Sequence, residues 1–159
     1  MAVPTGRVVV SGTGVDLVLE RTFDAPVTEI WAAITDPELT ARWIGPWERE
    51  AGGGRLQMLF EEGCPWSSFV IATCRPPEHL ALTMLEESGG WEVELTVARV
   101  SDVTTLTFVH HLPDAEGIGD LGPGWEYYLD RLVAARTGAP APDFDDYHPA
   151  QQEYFRSQV

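Results

Sequence analysis

Few residues in this 159-residue chain have the type and spacing that chemistry requires. The pair His110-His111 could serve a metal or acid–base work. Adjacent residues of a strand point to opposite faces, so the two cannot chelate one ion from a regular strand. No H-x-x-x-H or C-x-x-C motif accompanies them, and no metal site is expected. His110 shares parity with Leu106 and Phe108 and should face the covered side of its sheet, with His111 facing water. His110 reads as a hydrogen-bonded histidine at a strand end, with an acid–base role as the alternative. No catalytic residue is assigned, and His110 is the best candidate. Ser67-Ser68 lacks the G-x-S-x-G setting of a nucleophile, and Cys74 reads as a small core residue of a strand. Glu61-Glu62, Glu86-Glu87 and Asp145-Asp146 read as solvated acids, since none can be placed across one cleft as glycoside hydrolysis needs. Residues 117–122 spell G-x-G-x-x-G. Pro123-Gly124 interrupts the chain where a dinucleotide motif needs its helix, and Asp114, Glu116 and Asp120 would repel a pyrophosphate. The segment reads as a flexible loop before a long helix, a candidate gate.

Composition narrows the partners. Ten basic residues, all arginine, face 25 Asp plus Glu, for a formal charge of −15. Nucleic acid and anionic membrane surfaces, which need the opposite field, are not expected partners. The absence of lysine removes Schiff-base chemistry and any P-loop. Without asparagine there is no N-glycosylation acceptor, and the joint absence of two A-rich codon families points to a GC-rich bacterial genome. The N-terminus shows no apolar h-region and no window approaches 18 apolar residues, so a soluble, cytoplasmic protein is expected. There Cys64 and Cys74 are expected as reduced thiols, although their spacing also allows a disulfide. No cofactor is indicated. With 44% hydrophobic and 22% charged residues the chain can bury one core.

The elements that must position these residues follow from periodicity. Residues 7–10 and a strand through Val15, Leu17, Leu19 and Phe23 form a hairpin about Ser11-Gly12-Thr13-Gly14. Val27, Ile30, Trp31 and Ile34 recur at helical spacing after Pro26, and Asp36-Pro37 caps a second short helix. Gly52-Gly53-Gly54 marks a turn. Strands follow through Leu56, Met58 and Phe60, through 69–74, through Leu80, Leu82 and Met84, through Trp91 to Val97, and through 103–111, as an antiparallel meander. A long helix begins after Gly122-Pro123-Gly124, carries Trp125, Tyr128, Leu129, Leu132 and Ala135 on one face, and stops at Gly138. The domain should span 1–138. A tail, 139–159, should pack back on it, a dimer contact or a lid being the alternatives.

This order describes an α+β helix-grip fold, a curved antiparallel sheet wrapped around a long C-terminal helix, with two short helices after the first main strand. Phe23-Asp24-Ala25-Pro26, Trp31, Thr35-Asp36-Pro37-Glu38, Arg42-Trp43 and Pro46 resemble the opening signature of the START-like (Bet v 1-like, SRPBCC) superfamily, in the branch named for the activator of Hsp90 ATPase. Gly124-Trp125 and Leu129-Asp130-Arg131-Leu132 resemble its closing helix. The resemblance spans roughly 7–138 and implies the fold. It implies no single activity, since the superfamily holds lipid and hormone binders, polyketide cyclases and co-chaperones, with no catalytic motif common to all.

One helix over a curved sheet does not fill the space beneath it unless its side chains are large. The expected function is therefore binding of a hydrophobic small molecule in an apolar cavity. Trp125, Tyr128, Leu129 and Leu132 would form the roof. Trp91, Val93, Leu95, Leu106 and Phe108 would form the floor, with Arg99 and His110 as polar contacts and Trp31 as core filler. A cyclase or dehydratase using His110 is the second reading. A co-chaperone is the third, because the eukaryotic activator resembles this chain only in its second domain. The protein is expected as a monomer or homodimer.

Overall fold

In the computed structural model, residues 2–58, 66–85 and 90–159 are described. Among them eight strands form one antiparallel sheet: β1 (Arg7–Ser11), β2 (Gly14–Phe23), β3 (Trp47–Glu50), β4 (Gly53–Leu56), β5 (Ser67–Arg75), β6 (His79–Met84), β7 (Trp91–Val100) and β8 (Val103–Leu112). Their order is β1-β2-β8-β7-β6-β5-β4-β3. From β3 to β8 every strand lies beside its successor in sequence. β2 then closes onto β8, with Leu17 opposite His110 and Leu19 opposite Phe108. Four helices complete the chain: α1 (Val27–Thr35), α2 (Pro37–Thr40), α3 (Ile118–Thr137) and α4 (Gln152–Arg156). The molecule is the α+β helix-grip fold that the alternation of its strands implies.

Period-two patterning decides which face is covered. Val15, Leu17, Leu19 and Phe23 of β2, Val93, Leu95 and Val97 of β7, and Leu106, Phe108 and His110 of β8 are all buried on the concave side. Asp36 caps α2 by accepting from the Glu38 N–H at 2.9 Å, with Pro37 in the first turn. Gly138, at φ 74°, ends α3 in the left-handed conformation that glycine adopts without a Cβ clash.

Three elements differ from their sequence reading. The glycine triplet is not all turn: Ala51-Gly52 turns, while Gly53 and Gly54 belong to β4. The strand expected through Met58 is displaced accordingly, since β4 ends at Leu56, and Phe60 lies outside the described residues. The third difference is larger. α3 starts at Ile118 and runs through Pro123, so the segment expected as a loop or gate is the first turns of the helix. Tertiary packing overrides the local preference for breaking. Ile118 is buried in the core, and the bare backbone at Gly122 admits the Phe155 ring of α4, whose nearest carbon would sit 2.4 Å from a Cβ there.

The segment after Gly138 lies along α3. Phe144 and Tyr147 stand edge-on to Tyr127, at 5.2 and 5.5 Å between ring centroids. The Tyr147 hydroxyl donates to Asp130 Oδ2 at 2.7 Å, and the Tyr154 hydroxyl donates to the Gly6 carbonyl at 3.0 Å. Asp145 and Asp146 sit exposed on a 3-10 turn. Beneath them Glu126 of α3 is buried yet fully engaged: it accepts from Thr5 Oγ1 at 2.8 Å, from the Gly6 N–H at 3.1 Å and from Arg21 at 2.8 Å. Arg21 also reaches Asp130 at 2.9 Å, so α3 is tied to β2 by one guanidinium between two carboxylates.

Phe155 is completely buried between Gly6, Gly122 and Leu19. Phe155→Ala is expected to cost about 3–5 kcal/mol in urea unfolding, as for other buried aromatic truncations. A loss below about 1 kcal/mol would mean that the C-terminal segment is not part of the cooperative unit.

Candidate functional site

α3 and the pair α1–α2 divide the concave face between them. α3 packs against β2, whereas α1 lies against β7 and β8 and α2 against β3. Between α1–α2 and the β3–β7 part of the sheet is a hollow of about 570 Å³. Its sheet wall carries Leu56, Phe69, Ile71, Leu82, Val93 and Leu95. Its roof carries Trp31, Ile34, Trp43 and Ile44, and Trp47, Trp91 and Trp125 add indole surface. Polar side chains are few: Thr35, Asp36, Thr40, Arg49 and Cys74. Asp36 already serves as the cap of α2, and the Arg49 guanidinium stands 5.8 Å from the Trp47 ring centre.

The roof is fixed by its indoles. Trp43 Nε1–H donates to the Ala33 carbonyl at 2.9 Å and Trp47 Nε1–H to the Thr35 carbonyl at 3.0 Å, both at the C-terminal end of α1 where carbonyls lack helical partners. Arg131 of α3 donates to the Trp43 carbonyl at 3.0 Å, which holds the turn after α2 against the long helix.

Of the residues expected around a cavity, Trp91, Val93, Leu95, Phe108 and Trp125 line this hollow. Leu106, Leu129 and Leu132 do not; each is about 1% exposed and packed in the solid core beneath α3. Tyr128 is likewise buried, with its ring 5.9 Å from that of Trp125. Arg99 lies at the other end of β7, where it donates to the Ala25 carbonyl at 3.2 Å. The roof is thus supplied by α1–α2, with Trp125 the one α3 residue among the lining, rather than by the face of the long helix. Trp31, read as filler, is half-buried and lines the hollow. Cys74, read as core, is exposed on β5 and sits at the hollow's lining. Sequence reasoning missed α1–α2 as a wall because a helical stripe shows that a face is covered, not how closely. The one available signal was the size of Trp31, Trp43 and Trp47, which hold a roof away from its floor.

His110 lies behind this wall. It is fully buried, its Nδ1 accepts from the Trp125 indole N–H at 3.1 Å, and its ring is 4.9 Å from that of Trp91. Burial, with a smaller contribution from the charge of His111, pushes its pKa from the ordinary 6.5 down to about 4. Near neutrality it is a hydrogen-bonding group without charge. His111 faces the other side of the sheet. It lies between Glu94 and Asp16, with Nδ1 2.7 Å from Asp16, and Glu94 also reaches His79 at 3.0 Å. The hydrogen bond to Glu94, and then that to Asp16, raise the His111 pKa, and the same bond from His111 lowers that of Glu94. Among the described residues no three His, Cys, Asp or Glu side chains are grouped so as to hold a metal, and no helix is long and apolar enough to cross a membrane. Cys64, Glu61-Glu62 and Glu86-Glu87 lie outside the described residues.

The sequence model of the family described as "Activator of Hsp90 ATPase homolog 1-like protein" matches residues 24–136, the greater part of the chain. The chain belongs to this family. Its matched span runs from the strand-to-α1 junction to the end of α3, and so holds the hollow and both helical layers over the sheet. Among solved structures, this family member is similar to CalU16 from Micromonospora echinospora, with a TM-score of 0.76 and 27% identity over 98% of this chain and 96% of that one. The protein encoded by BPP1335 of Bordetella parapertussis superposes with a TM-score of 0.76 at 22% identity, over 100% and 93% of the two chains. DynU16, a protein of the dynemicin biosynthetic locus, gives 0.69 at 24% identity over 81% of this chain and 50% of its own. No curated protein matches the sequence.

The two histidines pull stability in opposite directions as pH falls. Folded His110 stays neutral down to about pH 4, whereas the unfolded chain takes that proton near 6.5. Acidification across this window therefore costs about 3 kcal/mol through His110. His111 holds its proton more tightly when folded, so its contribution is complete below pH 6.5 and is lost as pH rises through its raised value. Glu94 contributes above 4.5 and loses its contribution as pH falls. Urea melts from pH 4 to 8 should show His110→Gln gaining on the wild type as pH falls from 6.5. His111→Gln should lose ground on the wild type as pH falls from 8 toward 6.5, and its deficit should not grow through His111 below that. Differences from wild type that stay flat with pH would refute both assignments.

Proposed function

We propose that this protein binds small, flat, predominantly apolar molecules in the hollow between α1–α2 and the sheet. The observation that carries this reading is the hollow itself. Its volume of about 570 Å³ lies in the range of small-molecule sites, and its wall is aromatic and aliphatic with polar groups few in number. Seven of the protein's aromatic residues — Trp31, Trp43, Trp47, Phe69, Trp91, Phe108 and Trp125 — border it, and indole and phenyl faces favour offset or edge contact with a planar ligand. A ligand that buries about 300 Å² of apolar surface there would gain roughly 7 kcal/mol before the costs of association. The formal charge of −15 favours neutral over anionic ligands at the approach. Acid–base catalysis by His110 finds less support, since a group that stays neutral down to about pH 4 is a weak base near neutrality.

Nile red, a neutral apolar dye, is expected to bind saturably with one site per chain. Ile71 and Leu82 face each other across β5 and β6 and both line the hollow. The double variant Ile71→Trp, Leu82→Trp should weaken dye binding at least tenfold, about 1.4 kcal/mol, while leaving the far-ultraviolet circular dichroism unchanged. Uptake that fails to saturate, or that the double variant leaves as it was, would dispose of the reading.

A further inference from the structure

One buried hydrogen-bonding atom directly behind this wall is not used by the fold. His110 Nδ1 accepts from Trp125 Nε1–H, and that bond places the neutral imidazole's proton on Nε2. Nε2 is buried and has no hydrogen-bond partner among the described residues. A buried donor left in this state disfavours folding, and such groups in native proteins usually have a reason to persist.

The position of His110 supplies one. It stands opposite Val93 in the β7–β8 register and two residues beyond Phe108 on the same face, and both neighbours line the hollow. Its ring packs against two indoles, Trp91 at 4.9 Å and Trp125 at 6.1 Å between centroids, and each of these lines the hollow too. In an imidazole side chain Nε2 lies farther from Cβ than Nδ1 does. The unused donor is therefore at the end of the ring remote from the backbone, within a ring that packs against both indoles. Trp125 is pinned by its own N–H, which also keeps the His110 ring from flipping. Trp91 is half-buried at the start of β7 and carries no such restraint among the hydrogen bonds described.

Resting on the reading of the hollow as a ligand site, we propose that His110 Nε2–H, directly behind the indole wall, is the site's polar recognition point, reached when the unrestrained Trp91 ring gives way, and that the ligand class is a planar aromatic ketone or quinone whose carbonyl oxygen accepts from it beside Trp125. A neutral acceptor fits, because a carboxylate brought to an uncharged donor in an indole-lined wall would stay largely uncompensated. A hydrocarbon of the same shape would fill the hollow and leave the donor unpaired. Selectivity for the carbonyl is thus a property of His110, while affinity for the flat ring belongs to the wall.

The test compares 2-acetylnaphthalene with 2-isopropenylnaphthalene, which replaces the carbonyl oxygen by a methylene of nearly the same shape. Both are titrated into wild-type protein, His110→Phe and His110→Gln by tryptophan fluorescence. The ratio of ketone to hydrocarbon affinity should fall at least tenfold in His110→Phe while the hydrocarbon still binds, and His110→Gln, which keeps a donor, should recover part of it. In the wild-type complex the ketone carbonyl stretch should shift to lower frequency than in an apolar solvent. An unchanged ratio in His110→Phe, or an unshifted carbonyl band in the wild type, overturns the proposal even if both probes bind. Failure of both probes to bind the wild type would instead overturn the site itself.

Discussion

An eight-stranded concave sheet presents more apolar surface than one helix can cover, and the rest of this structure depends on how that mismatch is met. α3 is committed to one side. Its Glu126 and Asp130 grip Arg21 of β2, and Phe155 of α4 fills the space over Gly122. A carboxylate as buried as Glu126 needs this guanidinium and the Thr5 and Gly6 donors, so the long helix has little freedom to move toward the sheet's other half. The remaining strands are left to α1 and α2.

Those two helices are short, and α1, seated on β7 and β8 through Ile30, does not close over the strands beyond them. Trp43 and Trp47 spend their N–H groups on the last carbonyls of α1, so the indoles act as struts as well as apolar filler. A roof held up on large rigid side chains leaves volume beneath it, whereas Leu129 and Leu132, smaller side chains of the helix that packs on β2, are buried in the filled core. The hollow and the solid core are two outcomes of the same packing problem on neighbouring parts of one sheet. The polar ladder of Asp16, His111, Glu94 and His79 belongs to the opposite face and stays separate from it. The sheet thus gives two adjacent histidines different surroundings, an indole layer for His110 and carboxylates for His111.

Much of this was legible from spacing. The strict alternation of β2, β7 and β8 placed Leu17, Val93, Phe108 and His110 on the covered face and His111 on the other, because parity in a strand leaves only two choices. Asp36-Pro37 and Gly138 marked helix ends through local backbone chemistry. The start of α3 was not legible. Gly117 to Gly124 has the composition of a loop, yet it is helical from Ile118 on, and Phe155, some thirty residues later, packs on its bare backbone at Gly122. The floor of the hollow was similarly readable, and its roof was not. Trp31 and Leu132 carry the same helical signal of a buried face, yet one borders open volume and the other a filled core.

The amino-acid sequence alone therefore determined the fold class, the inward face of each regular strand and the absence of a lysine-based chemistry, since these follow from residue identity and from periods of two and 3.6. Only the tertiary structure decided where α3 begins, which helices roof the hollow, and that His110 keeps an unused donor beside two indoles. Those facts depend on distances between segments far apart in the chain, and periodicity within a segment carries no information about such distances.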